Sequence, residues 1–231
     1  MTQPVSIEVI ADLICPWCYL GSHRLRQAMA RGREGQQFDV AWKPFELDPL
    51  APAEGRDHLD HLSRKFGSRS AVDSVHQKLT AMGKAEGLPF HFDLVKKSPN
   101  TFLGHRLVWF SSRYGLQQVL VWGLLRAYFS EGRDIGDRKE LLRIGAENGM
   151  PVPEMEDFFS GSGGENEVRE MEQEAYDRGI SGVPAFILQG KWLVRGAQPA
   201  ETFLDIFEQV SSGPGSGLEG EEGKVHLKKY E

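Results

Sequence analysis

The chain has 231 residues, 40% apolar and 26% charged, enough for one large core or a core with an insertion and too apolar for a disordered chain. Its 27 basic and 33 acidic residues give a formal charge of −6, and no cluster of Lys and Arg interleaved with aromatics stands out, so no nucleic-acid partner is expected. No basic-then-apolar leader opens the sequence and no run is long enough to span a bilayer, which leads to the expectation of a cytoplasmic protein with no membrane partner.

The first element is a strand. Val5, Ile7 and Val9 alternate with smaller or polar residues and Ile10-Ala11 follow. After the link Asp12-Leu13-Ile14, a helix starts at Cys15, with Pro16 at the first helical position, where a missing N–H costs nothing. Cys18, Gly21, Leu25, Ala28 and Met29 recur at helical spacing, Gly32 and Gly35 end the segment, and Phe38 to Phe45 alternates as a second strand. From about Asp57 to Asp177 the patterns are mostly helical. Leu59, Leu62 and Phe66 mark one apolar face, and Val72, Val75, Leu79 and Met82 mark the next. Asn100 reads as the N-cap of a helix ending at Gly115, Leu116 to Tyr128 as a buried helix, and 160–164 as a flexible Gly/Ser connector. Glu165 to Arg178 is a further helix, which Gly179 and Ile180 stop in a Schellman-type ending. Pro184 to Leu188 and Trp192 to Val194 flank the turn Gln189-Gly190 as a hairpin, and Pro199 opens the last helix.

Without the helical block the order is βαβ–α–ββα, so the expected fold class is α/β, a small βαβ–α–ββα unit with a large all-helical insertion. The expected divisions are 1–48 with 166–210 for that unit, 49–165 for the insertion, and 211–231 for a disordered tail rich in Gly, Ser, Glu and Lys.

Cys15 and Cys18 are the only cysteines, and they stand three apart at the start of a helix. One turn separates them, so the sulfurs lie within bonding reach. In a reducing compartment such a pair reads as catalytic, redox-sensing or metal-binding rather than structural. Zinc needs about four ligands. There is no second CxxC, and His58-x-x-His61 reads as two exposed histidines beside the buried Leu59 and Leu62, so no metal is expected.

A dithiol works through its thiolate. Cys15 at the N-cap can accept from the N–H groups of Trp17 and Cys18 and feels the positive helix end, so its pKa is expected to fall below about 8.5. Its place at the helix terminus also predicts exposure. Cys18, one turn in, is expected to be less accessible. Cys15 therefore attacks and Cys18 resolves the mixed disulfide. Asp12 would oppose the thiolate if it pointed at the sulfur; the simpler reading is a loop-capping Asp. In Gly182-Val183-Pro184-Ala185-Phe186, Pro184 enters an apolar strand, a position that suits a strand start or a cis bond.

Strand, CPWC helix, strand, helical insertion, then GVPAF before a hairpin and final helix resembles the DsbA-like group of the thioredoxin superfamily. Within it the chain is similar to the FrnE-like branch, related to 2-hydroxychromene-2-carboxylate isomerases and kappa-class glutathione transferases. Further stretches carrying the resemblance are Pro99-Asn100-Thr101 with His105-Arg106, Gly179 to Pro184, and Arg195-Gly196-Ala197-Gln198. The resemblance implies a thioredoxin fold over residues 5–210 and a disulfide oxidoreductase with catalytic Cys15, Cys18 and Pro184. It implies substrate contacts at Pro16, Trp17 and Val183, the last pairing its backbone with an extended substrate. Protein or small-molecule thiols and disulfides are the implied substrates. No bound cofactor is implied, and glutathione is a candidate thiol co-substrate for a monomer or homodimer. Two alternatives stay open. One is a glutathione-dependent isomerase or transferase with an aromatic-lined cleft including Phe45, against which Cys15 stands where those enzymes carry Ser. The other is a non-enzymatic client-binding module around Trp17.

Overall fold

A computed structural model describes residues 4–211 together with 228–229. Strand β1 (Val5–Ala11) leads through a short link into helix α1 (Pro16–Ala30), and β2 (Phe38–Pro44) returns parallel to β1, pairing Val5 with Phe38 through Ala11 with Pro44. The chain then builds a helical block. It contains β3 (Arg56–Asp57), α2 (His58–Phe66), α3 (Arg69–Glu86), β4 (Lys97–Ser98), α4 (Phe102–Ser111), α5 (Gln117–Phe129), α6 (Arg138–Glu147) and α7 (Val152–Ser160). Helix α8 (Glu165–Asp177) leads back to the hairpin β5 (Ala185–Leu188) and β6 (Trp192–Arg195), followed by α9 (Ala200–Ser211) and the two-residue β7 (Lys228–Lys229). The main sheet runs β2-β1-β5-β6-β7, with β1 and β2 parallel and the remaining neighbours antiparallel. The fold is the thioredoxin-like α/β fold with a helical insertion. The segment read as a disordered tail lies, apart from Ser211 and Lys228–Lys229, outside the described residues.

β1 is central because both of its faces are covered, as its apolar run requires. Val5, Ile7 and Val9 pack with Leu25 and Ala28 of α1 and Phe203, Ile206 and Phe207 of α9, whereas Ile10 faces Ala175 and Ile180 at the end of α8. The α8 ending follows the local signal: Gly179 has φ 71, and the Ile180 amide donates to Ala175 O at 3.0 Å. Helix α1 has a second buried face. Tyr19 and Leu20 enter the core of the helical block, with Phe90, Leu124 and Phe129.

Four local expectations change in the structure. The N-cap of α4 is Thr101 without a side-chain bond, while Asn100 accepts from the Phe102 amide at 3.0 Å and donates to Ala51 O at 2.9 Å, tying two loops together. The 160–164 connector is pinned rather than loose: the buried Arg106 guanidinium donates to Gly161 O at 2.7 Å and Gly163 O at 2.9 Å and pairs with Glu165 at 3.1 Å. His58 is buried, not exposed, because its Nδ1 lies 3.0 Å from Ser98 Oγ and its ring stacks on His76. Leu59 is only partly buried and Phe66 is exposed. The small β3–β4 pair was not visible as a strand pattern because it is two residues long.

Candidate active site

Pro16 starts α1 in its first turn, so Cys15 falls at the N-cap with extended backbone, φ −91 and ψ 111. Its Sγ accepts from the Cys18 amide at 3.3 Å, which makes Cys18, not Trp17, the donor of that cap bond. Across from it the chain arrives from Gly182 into a cis Val183–Pro184 peptide, and Cys15 Sγ donates to Val183 O at 3.7 Å. Cys15 and the Val183-Pro184 loop thus meet at one place, although 168 positions separate Cys15 from Val183.

Cys15 is 3% exposed, so the terminal position does not leave it open as expected. Trp17, Leu47 and Val183 are among the partly buried residues that pack against the cluster containing both cysteines. Cys18 is fully buried. Burial pushes its thiol well up from the ordinary value, and Cys15 adds to that. A hydrogen bond from the Asp12 backbone acts the other way, and the Asp12 charge raises it again. Cys18 therefore rests as a neutral thiol. The two cysteines are not bonded to each other.

Pro16 and Trp17 are half-buried at the rim, and the Lys78 ammonium of α3 stands 5.8 Å above the Trp17 ring. Pro184 is buried and its carbonyl accepts from the Gly196 amide at 2.8 Å. Gly21 of α1 gives the proline room: a Cβ there would stand 3.1 Å from both Pro184 Cγ and Phe186 Cζ. Phe45 does not line an open cleft. It is buried on the other side of the sheet with Ile10, Ala175 and Ile180, and its ring meets Tyr176 at 5.2 Å. A groove of about 380 Å³ lies on the helical block between Phe110, Arg113, Tyr114 and Phe158, with none of the motif residues in its lining. Among the described residues no cluster of His, Cys, Asp and Glu is arranged to hold a metal ion.

Beneath the dithiol lies a polar group that the sequence reading did not assemble. Asp12 is a loop cap, as its simpler reading has it: Oδ2 accepts from the Leu47 amide at 2.7 Å. Its Oδ1 is also 3.3 Å from His105 Nε2, which α4 contributes. Next to Leu47, Glu46 is buried and accepts from Arg169 at 2.5 Å, and the same Arg169 nitrogen reaches Glu172 at 2.9 Å. Burial, then the Glu172 charge, pushes the Glu46 carboxyl above its ordinary range. In the sequence His105 stands out only within the His105-Arg106 stretch, and Glu46, Arg169 and Glu172 carry no motif at all.

A neutral buried thiol, a second sulfur at a helix N-cap and an opposed cis-proline loop on this sheet define a protein of the thioredoxin class. The chain belongs to the DSBA-like thioredoxin domain family, whose sequence model matches residues 6–208. It is similar to a probable DsbA oxidoreductase from Streptomyces coelicolor, with 30% identity, 94% of each chain covered and a TM-score of 0.82. The fold is also shared with the cytosolic disulfide reductase DsbM from Pseudomonas aeruginosa, at 22% identity, TM-score 0.62, and 89% of this chain and 99% of that one covered. In sequence it is 26% identical over 209 residues to the uncharacterized protein YwbO of Bacillus subtilis, covering 90% of this chain and 96% of that protein.

Proposed function

We propose that the protein is a thiol–disulfide oxidoreductase working through Cys15 and Cys18. The observation that carries this reading is the position of Cys15 Sγ, held between the Cys18 amide at 3.3 Å and the Val183 carbonyl at 3.7 Å. A substrate disulfide lying along the Val183 backbone meets the sulfur in line with a proline that leaves the loop edge unpaired. In the reducing direction Cys15 thiolate attacks one substrate sulfur, the substrate S–S bond breaks, and the first thiolate leaves. The released substrate thiolate takes the Cys18 proton, and the Cys18 thiolate attacks Cys15 Sγ. The Cys15–Cys18 bond forms, the mixed disulfide breaks, and the second substrate thiolate departs with the electron pair. The oxidising direction is the same path reversed.

Protein or small-molecule disulfides are the proposed substrates, with glutathione as a thiol co-substrate and no resident metal or organic cofactor. Likeness in fold to a cytosolic disulfide reductase supports a cytoplasmic setting. Pro16, Trp17 and Val183 are the proposed substrate-contacting residues, and Pro184 is proposed to hold the loop against the sulfurs. Insulin reduction and thiol oxidation assays test the reading. Cys15→Ser is expected to abolish turnover, and Cys18→Ser to accumulate mixed disulfides visible by mass spectrometry. Unchanged turnover in Cys15→Ser would overturn it.

A further inference from the structure

The group beneath the dithiol has a charge problem. The Asp12 side chain is 0% exposed, and its carboxylate sits at the link that feeds Cys15, whose amide donates to Asp12 O at 3.2 Å. A buried negative charge at this place opposes ionisation of the sulfurs. Two groups compensate it: the Leu47 amide at 2.7 Å and the His105 ring at 3.3 Å, itself 4% exposed. The amide supplies a fixed dipole. Only the imidazole can supply a full charge, and it arrives from α4, 93 residues away.

Further acidic groups crowd the same place. Glu46 follows β2, lies within electrostatic reach of His105, and shares one nitrogen of Arg169 with Glu172 of α8. The second oxygen of both Glu46 and Glu172 is buried with no partner. Three carboxylates therefore face one guanidinium and one imidazole. Tyr128 of α5 and Tyr176 of α8 are pushed up, first by burial and to a lesser extent by the Asp12 charge, so they stay neutral and compensate nothing.

We propose that His105 and Asp12 form a charge-compensating pair between the helical block and the sheet unit, and that this pair sets how readily the Cys15–Cys18 dithiol ionises. His105 is then a positioning residue for exchange: it touches no substrate and acts through Asp12. With the imidazolium in place the pair is neutral and the thiolate is unopposed. Without it Asp12 becomes a bare buried charge beside the sulfurs, and one titration unit of opposition is a tenfold loss of thiolate. The inference rests on the oxidoreductase reading for its consequence in turnover, but its test does not need turnover.

The reduced full chain is alkylated with iodoacetamide at pH 7, and the label on Cys15 is followed by mass spectrometry. His105→Asn is expected to slow the reaction about tenfold. Adding Asp12→Asn to it is expected to bring the rate back to within about twofold of the parent, which a purely structural role for His105 would not do. Equal rates for His105→Asn and the parent overturn the inference, as does a double variant that stays as slow as the single one. A second measurement on the unmodified chain covers the case of a variant that does not fold. The NMR titration curve of the His105 ring is recorded in the dithiol and the disulfide forms. A displaced curve is expected, because linkage is reciprocal, and superimposable curves overturn the inference. Loss of all insulin and thiol-oxidation turnover in the parent would remove the oxidoreductase reading while leaving these two results standing. Full turnover with unchanged alkylation would remove this inference alone.

Discussion

His58 shows how a single buried side chain gives the protein a pH response. Burial lowers its imidazole from 6.5 to about 4, with His76 and His61 adding to the effect. Above pH 6.5 the ring is neutral in folded and unfolded chains alike. Between 6.5 and about 4 only the unfolded chain takes up the proton, so stability falls as the pH drops through that window and levels off below it. Between pH 7 and pH 5 the expected loss from this residue is about 2 kcal/mol. Urea unfolding of the parent and of His58→Gln at both pH values isolates it, since His61 and His76 are common to both. The same pH dependence in the two proteins would contradict the assignment. None of this was legible beforehand. A histidine next to Leu59 and Leu62 reads as exposed, and only the tertiary placement of Ser98 and His76 shows otherwise. Cys15 and Cys18 were legible because three residues of spacing and a following helix suffice to relate them. Asp12 and His105 were not, because no local pattern relates residues 93 apart.

At the scale of elements, β1, α1, β2 and the final hairpin could be read from the sequence because each is specified locally. β1 carries an apolar run, α1 a proline start, and the hairpin a Gln189-Gly190 turn that takes φ 52 and φ 64. How the helical block docks could not be read, because that rests on single contacts between distant segments. Gln117, the first residue of α5, lies against the outer edge of β2. Its Oε1 accepts from the Trp42 amide at 2.9 Å and its Nε2 donates to Trp42 O at 3.5 Å, the two bonds that a neighbouring strand would have made. One side chain thus covers an edge that would otherwise be open to pairing. Gln117→Ala leaves both Trp42 backbone groups without their partner. We expect a loss of about 1–2 kcal/mol in urea unfolding and faster amide exchange at Trp42. Retained protection of that amide would show that the contact is not what holds the edge.

Over the whole molecule, α1 decides whether sheet unit and helical block behave as one body or two. Its Cys18, Leu25 and Ala28 belong to the core under the sheet, while Tyr19 and Leu20 belong to the core of the helices. The Tyr19 ring lies 5.4 Å from Phe90, 5.1 Å from Trp122 and 5.7 Å from Phe129. Arg24 adds a polar tie, pairing with Glu86 at the end of α3 and donating to Ala197 O beside the hairpin, both at 2.6 Å. A helix that contributes to both cores cannot melt with one and stay with the other. The chain is therefore expected to unfold in a single transition, with far-UV circular dichroism and tryptophan fluorescence coinciding. The five tryptophans (Trp17, Trp42, Trp109, Trp122 and Trp192) sample both parts, so the comparison is sensitive. Leu20→Ala sharpens the test. Leu20 is fully buried on the helical side of α1, and its truncation is expected to cost about 2–5 kcal/mol. Because α1 is shared, both signals should move together to lower urea by the same amount. If Leu20→Ala melted the helical block early while the sheet unit kept its midpoint, the two cores would be energetically separate and α1 would not couple them.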